Sequence, residues 1–233
     1  MNQIINVENV TKIYKTKHYI VNALSNINLS VERGDICVLI GRSGSGKTTL
    51  LNVIGGLLQP DSGEVTIDGE SLYGDKKNIF DQIRHSEKKR ATIRNRKIGY
   101  VYQNISLVQE LNALENIRLP FDIAGKKYDT EYEEKIIQLL GLEDRLKFYP
   151  SMLSGGEKQR VAIARAMIKK PAIILADEPN GNIDSETSHS LMEYVRQTNR
   201  EFEQTYLIVT HDKAWLDYAN QTYEMQDGKL EKL

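Results

Sequence analysis

The chain has 233 residues, 40% of them hydrophobic and 27% charged, with 31 basic side chains against 32 acidic ones and a formal net charge of −1. That length and composition suit a globular protein with a sizeable core, while the near-zero balance gives no global field for nucleic acid, so any basic patch is local. The single cysteine, Cys37, excludes a disulfide framework within the chain and reads as core filler in a reducing compartment.

Residues 4–10 and 27–32 alternate apolar and polar side chains, as half-buried strands do, and are expected to pair antiparallel. The apolar run Ile36–Ile40 reads as a buried strand and leads into Gly41-Arg42-Ser43-Gly44-Ser45-Gly46-Lys47-Thr48. Leu50, Leu51, Val53 and Ile54 then mark a helix over 47–57. Strand, glycine-rich turn and helix are the setting a P-loop requires. Its glycines let backbone N–H groups turn inward onto phosphate oxygens, and the helix start adds its positive dipole end. Lys47 supplies a mobile charge for the β and γ phosphates, and the Thr48 hydroxyl a ligand for Mg²⁺. A nucleoside triphosphate is the expected ligand.

Residues 64–69 read as a strand ending in a turn, and 76–97 as a polar, basic segment that is helical for much of its length. Ile98–Val101 is a short strand. Helical patterns occupy about 112–123, 131–141 and 154–169, followed by a strand at 172–176, a helix at 185–200 and a strand at 206–210. Residues 213–219 look helical and 222–230 look like a final hairpin. This alternation predicts an α/β fold: a P-loop core with a mainly parallel sheet, an N-terminal antiparallel β region and an inserted helical subdomain. The whole chain, 1–233, reads as one domain, with 1–80 and 170–233 forming the nucleotide-binding core and β region and about 81–169 the helical part.

Two further sites follow. Asp177 and Glu178 end an apolar strand, where ligands of open parallel sheets collect. Asp177 then falls near the metal held by Thr48, and Glu178 is placed to polarise an attacking water; the plain alternative is a solvated loop start. Ser154-Gly155-Gly156-Glu157 opens the helix containing Val161-Ala162-Ile163-Ala164. Ser154 reads as an N-cap, and the two glycines expose N–H groups to an anion; a helix cap with no ligand explains the segment equally well.

Taken in order, these motifs resemble an ATP-binding cassette (ABC) ATPase of a membrane transporter, a resemblance that spans essentially the whole chain. Ser154-Gly155-Gly156-Glu157 is similar to the family signature. The resemblance implies a head-to-tail pair of cassettes, in which Ser154, Gly155 and Gly156 of one subunit close over ATP held by the other subunit's P-loop, Gly41 through Thr48 with Thr49 behind it. It also implies that Gln103 lies between the Mg²⁺ site and the permease contact. His211 is the family's γ-phosphate histidine, holding Glu178 and water in place. Asp184 is the loop aspartate crossing the interface, and Tyr14 the aromatic that stacks on adenine. The catalytic set implied is Glu178, His211, Gln103 and Lys47, and the metal set Thr48, Gln103 and Asp177. ATP and Mg²⁺ are the implied ligands. A second copy of the chain and an integral membrane permease are the implied partners, and no nucleic acid.

Three positions depart from the common pattern. Asn180 stands where relatives commonly carry Thr or Ser, Glu157 where Gln is commoner, and Thr48 where Ser is frequent. None removes a charge or hydroxyl the chemistry needs, so an active enzyme is expected, and Asn180 bears only on the fit of the dimer loop. Gly55-Gly56-Leu57 with Pro60-Asp61-Ser62-Gly63, the segment Ala113-Leu114-Glu115-Asn116-Ile117-Arg118-Leu119-Pro120, and Gly181-Asn182-Ile183-Asp184 resemble the ATPases of lipoprotein-release, macrolide-export and antimicrobial-peptide-resistance systems. Export or extraction of a lipophilic or peptide substrate is implied. Two other readings share these motifs: an ATPase driving a permease-like protein that transmits a mechanical or sensory signal, and a soluble cassette of translation or DNA repair. The latter usually has two cassettes or long coiled-coil insertions, which this chain lacks.

No apolar run approaches the roughly 18 residues needed to span a bilayer, and the first residues lack a signal peptide's basic start and long apolar centre. A cytoplasmic location on the inner face of the membrane, through the permease, is expected. The basic stretch Lys76, Lys77, Arg84, Lys88, Lys89, Arg90, Arg94, Arg96 and Lys97 reads by default as a solvated helical face. Its alternative is a surface toward the permease or anionic headgroups. Without interleaved aromatics it does not read as a nucleic-acid site.

Overall fold

All five residues of β3 (Ile36–Ile40) are buried, as are β7 (Ile173–Asp177) and β8 (Thr205–Thr210) along their whole lengths. Strands apolar on both faces need a sheet covered on both sides. The computed structural model, which describes residues 2–15, 19–73, 87–125, 129–181 and 183–233, has that arrangement. These three strands, β6 (Ile98–Val101), β9 (Gln221–Gln226) and β10 (Lys229–Lys232) form a six-stranded sheet in the order β10-β9-β3-β8-β7-β6. Every pair in it is parallel except the β9–β10 hairpin. A second sheet, antiparallel throughout, joins β1 (Gln3–Lys15), β2 (Ile20–Glu32), β4 (Ser62–Ile67) and β5 (Glu70–Ser71) in the order β2-β1-β4-β5.

Alternate residues of the parallel strands face opposite cores. Cys37, Leu39, Leu175 and Leu207 pack with α1 (Lys47–Ile54) and with Ile5, Val7 and Val65 of the antiparallel sheet. Ile36, Val38, Ile174 and Ile208 instead pack with α3 (Ala113–Ala124), α4 (Thr130–Leu139), α5 (Gly155–Met167) and α6 (Ser185–Phe202). The fold is therefore α/β, with α1 sandwiched between the sheets and the longer helices on the far side. Among the described residues no helix is long and apolar enough to cross a membrane.

Two expectations are adjusted. The P-loop helix ends at Ile54 rather than 57, because Gly55 is its C-cap and Gly56 takes φ +68. A Cβ on Gly55 would overlap the Tyr100 ring, so the chain turns there beneath an aromatic. The N-terminal strands run longer than the alternation indicates, because register shifts between Val7 and Val10 and between Val10 and Lys12 break the pattern without ending the pairing. The expected final hairpin forms as β9 and β10, and β9 also pairs parallel to β3 through Cys37–Gln221 and Leu39–Tyr223.

Lys76, Lys77 and Arg84 of the basic stretch, and Asn182, lie outside the described residues. The remainder of that stretch forms α2 (Glu87–Lys97), which is not simply a solvated face. Lys97 Nζ lies 2.9 Å from Asp68 and 2.8 Å from Glu70, Arg96 also pairs with Glu70, and Arg94 donates to the Gly56 carbonyl at 2.7 Å.

Candidate functional site

The loop after β3 is pinched between two other strands. A Cβ on Gly41 would overlap the Met225 carbonyl, and one on Gly46 the Ala23 carbonyl. Gly44 and Gly46 also take φ of +80 and +112, a region that L side chains rarely occupy. Only glycines let this loop curl so closely over the start of α1. Lys47, 7% exposed, folds back to donate to the carbonyls of Gly41 at 2.8 Å and Arg42 at 3.1 Å. Ser45 Oγ is buried with no hydrogen-bond partner among the described residues. An orphaned hydroxyl, a curled loop and a helix start together form a cradle suited to phosphate oxygens.

The cradle opens into a cleft of about 850 Å³. Tyr14 from the end of β1, Arg42 through Thr49, Gln103, Glu178 and His211 line it, so these sequence-predicted residues share one space. Tyr14 is 42% exposed, with the Lys12 ammonium 5.8 Å from its ring centre. Asp177, at the end of β7, accepts a hydrogen bond of 3.3 Å from Thr48 Oγ1. Burial pushes the Asp177 carboxyl above its ordinary value; the Thr48 hydrogen bond and Lys47 charge oppose this, and the Glu178 charge adds to it. A buried carboxylate beside a hydroxyl is a donor set that fits Mg²⁺, which takes hard oxygens and usually only one or two protein ligands alongside phosphates. Among the described residues there is no group of three or more His, Cys, Asp or Glu side chains able to hold a metal without such help.

Glu178 adopts φ +44, uncommon for a residue with a Cβ. It is fastened on every side. Its N–H donates to the Val209 carbonyl at 2.8 Å, and its carbonyl accepts from Gly181 N–H at 3.0 Å. Its Oε2 accepts from Thr210 Oγ1 at 2.9 Å and from the His211 N–H at 3.2 Å, and lies 2.9 Å from His211 Nδ1. Its Oε1 lies 4.0 Å from Lys47 Nζ. The twist at Glu178 thus brings a carboxylate from β7, an imidazole from β8 and the P-loop lysine together.

The signature residues lie elsewhere. Ser154 is the N-cap of α5: its Oγ accepts from Glu157 N–H at 3.2 Å, while Glu157 Oε2 accepts from Ser154 N–H at 2.7 Å. This capping box satisfies two donors at once. Arg145 Nε approaches Glu157 Oε1 to 2.6 Å. Asp184 is the N-cap of α6, its carboxylate accepting from Thr187 N–H at 2.9 Å and Thr187 Oγ1 at 2.8 Å; these two bonds hold it below the usual carboxylate range. Ser154 and Gly156 line a second cleft of about 260 Å³ with Glu186 and Thr187. Ser154, Gly156 and Asp184 are absent from the lining of the P-loop cleft, and Gly155 opens α5 beside them.

Sequence reasoning missed Asp227 and Gly228, the turn between β9 and β10, which line the P-loop cleft. Both have positive φ, +48 and +74, and the Asp-Gly pair was the available signal for a tight hairpin. It also missed Thr210, whose hydroxyl braces Glu178.

A family model described as ABC transporter matches residues 24–181. The lipoprotein-releasing system ATP-binding protein LolD of Bordetella pertussis is 38% identical over 229 residues, covering 97% of this chain and 95% of that protein. LolD of Francisella tularensis subsp. tularensis is 40% identical over 231 residues, covering 98% and 96%. Among solved structures, the ATP-binding cassette MJ0796, a dimer in a post-hydrolysis state bound to ADP and Pi, has a TM-score of 0.81 and 36% identity, covering 98% of each chain.

Proposed function

The chain belongs to the ABC transporter family and is one of its ATPases, and we propose that it works as a pair of copies sandwiching two Mg-ATP molecules and driving a separate membrane permease. The observation that carries this reading is the separation of two half-sites within one chain. The P-loop cleft holds Lys47, Glu178 and His211, whereas Ser154 and Gly156 line a different cleft. A second copy, placed head to tail, would bring each Ser154-Gly155-Gly156 helix start, with Asp184, over the partner's cradle. That the solved relative bound to ADP and Pi is a dimer supports the pairing.

In the proposed roles, P-loop N–H groups and Lys47 hold the phosphates, and Tyr14 stacks on adenine. Thr48, Asp177 and Gln103 would hold Mg²⁺, which supplies charge neutralisation at the phosphate oxygens when bound. Glu178 takes the proton of the attacking water. His211, with Nδ1 directed to Glu178, keeps its other ring nitrogen for the γ-phosphate. Closure around ATP and reopening after hydrolysis would be the work source, through ATP's preference for the closed pair.

The resemblance to LolD supports a lipophilic cargo, lipoprotein among them, and a peripheral place on the inner membrane face. Residues of about 81–169 would carry the contact with the permease. A groove of about 410 Å³ between α2 and α3 supports this: it exposes Leu57, Tyr102 and Ile123 beside Arg94 and Arg165, with no carboxylate among the described residues of its lining. Substitution Glu178→Gln tests the catalytic reading. ATP binding should persist while turnover falls at least 100-fold; turnover at the wild-type rate would remove Glu178 from its role.

A further inference from the structure

Asn180, two residues past Glu178, is 8% exposed, and its side-chain amide is hydrogen-bonded through both its nitrogen and its oxygen. Its Nδ2 donates to Ser188 Oγ and to Asp212 Oδ2, each at 2.7 Å. Its Oδ1 accepts from the Trp215 indole Nε1–H at 3.1 Å. The neighbours fix the orientation of this amide. An indole N–H only donates and an ionised carboxylate only accepts, so oxygen must face Trp215 and nitrogen must face Asp212.

The contacts continue to the site. Asp212 N–H donates to Thr210 Oγ1 at 3.0 Å, and that hydroxyl donates to Glu178 Oε2 at 2.9 Å. On its other side Ser188 lies in the first turn of α6, the helix that Asp184 caps. We propose that Asn180 is a positioning residue for ATP hydrolysis: its side-chain amide clamps the loop carrying Asp184 to the loop carrying His211 and so fixes the Glu178 carboxylate through Asp212 and Thr210. This rests on the reading of Glu178 and His211 given above.

A side-chain hydroxyl in this place has one proton to give, so it can donate to Asp212 or to Ser188 but not to both, whereas the amide donates to both. Asn180, Ser188 and Trp215 are buried and joined by hydrogen bonds, and a satisfied buried polar network rigidifies its surroundings. Trp215, the chain's one tryptophan, is 0% exposed and reports on the clamp directly.

The experiment compares wild type with Asn180→Ala, Asp212→Ala and the double variant, in ATP turnover and in the emission of Trp215, excited selectively over tyrosine. Asn180→Ala should lower kcat about 10-fold while the KM for ATP stays within about two-fold, and should shift Trp215 emission. The double variant should be no slower than the slower single variant by more than about two-fold, because both act on one relay. A purely structural role would lower the melting temperature and leave kcat intact. If Asn180→Ala fails to fold, Asn180→Thr carries the test, with kcat expected about five-fold down. A folded variant with parental kcat overturns the inference. Should Glu178→Gln itself turn over normally, the catalytic reading falls and the clamp with it; an inactive Glu178→Gln beside a fully active Asn180→Ala overturns the clamp alone.

Discussion

Gly156 and Thr187 meet so closely that a Cβ on the glycine would collide with Thr187 Cγ2. The contact locks the start of α5 to the start of α6. Ser154 and Asp184 are the N-caps of those two helices. Thr187 cannot easily swing aside, because its hydroxyl and its N–H are both held by Asp184.

Gly156→Ala should therefore overpack this junction, destabilising the fold by about 1–3 kcal/mol and slowing turnover. ATP affinity of the single chain should hardly change, because the P-loop lies elsewhere. Adding Thr187→Ser removes the colliding methyl and keeps the hydroxyl, so the double variant should recover most of the lost melting temperature. Calorimetry of the three proteins checks this, and a Gly156→Ala variant that melts like wild type would contradict it.

Cys37 should be chemically silent while the protein is folded. It is fully buried in β3, and burial, with Asp35 adding and Lys232 opposing, pushes its thiol up to about 12. The thiolate is the reacting form, so labelling near pH 8 requires both exposure and a normal pKa. A disulfide reagent followed by mass spectrometry should find no adduct in the native protein and one adduct after unfolding. Saturating ATP should slow labelling further, because ligand binding lowers the open population. Rapid stoichiometric labelling of folded protein would contradict the burial of this strand.

The Arg145–Glu157 pair should make the signature helix sensitive to acid. Burial raises the Glu157 carboxyl, but hydrogen bonds from Arg145 and from Ser154 outweigh it and hold the carboxyl below its ordinary value. A carboxyl depressed on folding gives stability that is present above its unfolded pKa and is lost as pH falls through its folded pKa. The melting-temperature difference between wild type and Arg145→Ala should thus be present at pH 7 and should shrink below about pH 4. A difference that stays constant or grows in acid would contradict this pairing.

The parts legible in the sequence were those with local causes. The all-apolar run of β3, the glycines of the P-loop and the Ser154–Glu157 capping box each declare themselves within a few residues. Long-range pairing was not legible. Nothing within residues 221–226 announces that they lie parallel to β3, yet that pairing brings the Asp227-Gly228 turn into the nucleotide cleft. Asn180 is similar: alone it is a polar residue after a proline, and its meaning depends on Ser188, Asp212 and Trp215 converging from α6 and the loop after β8. The ends of β1 were hidden for another reason, since its bulges interrupt the alternation from which strand length is read.

The most direct test of the paired-cassette account is the mass of Glu178→Gln in solution with saturating Mg-ATP, measured by size-exclusion chromatography with light scattering. The account predicts that the particle doubles in mass with ATP and returns to a single chain with ADP. A particle that remains a single chain under saturating Mg-ATP, and still does so when its membrane partner is supplied, would contradict it.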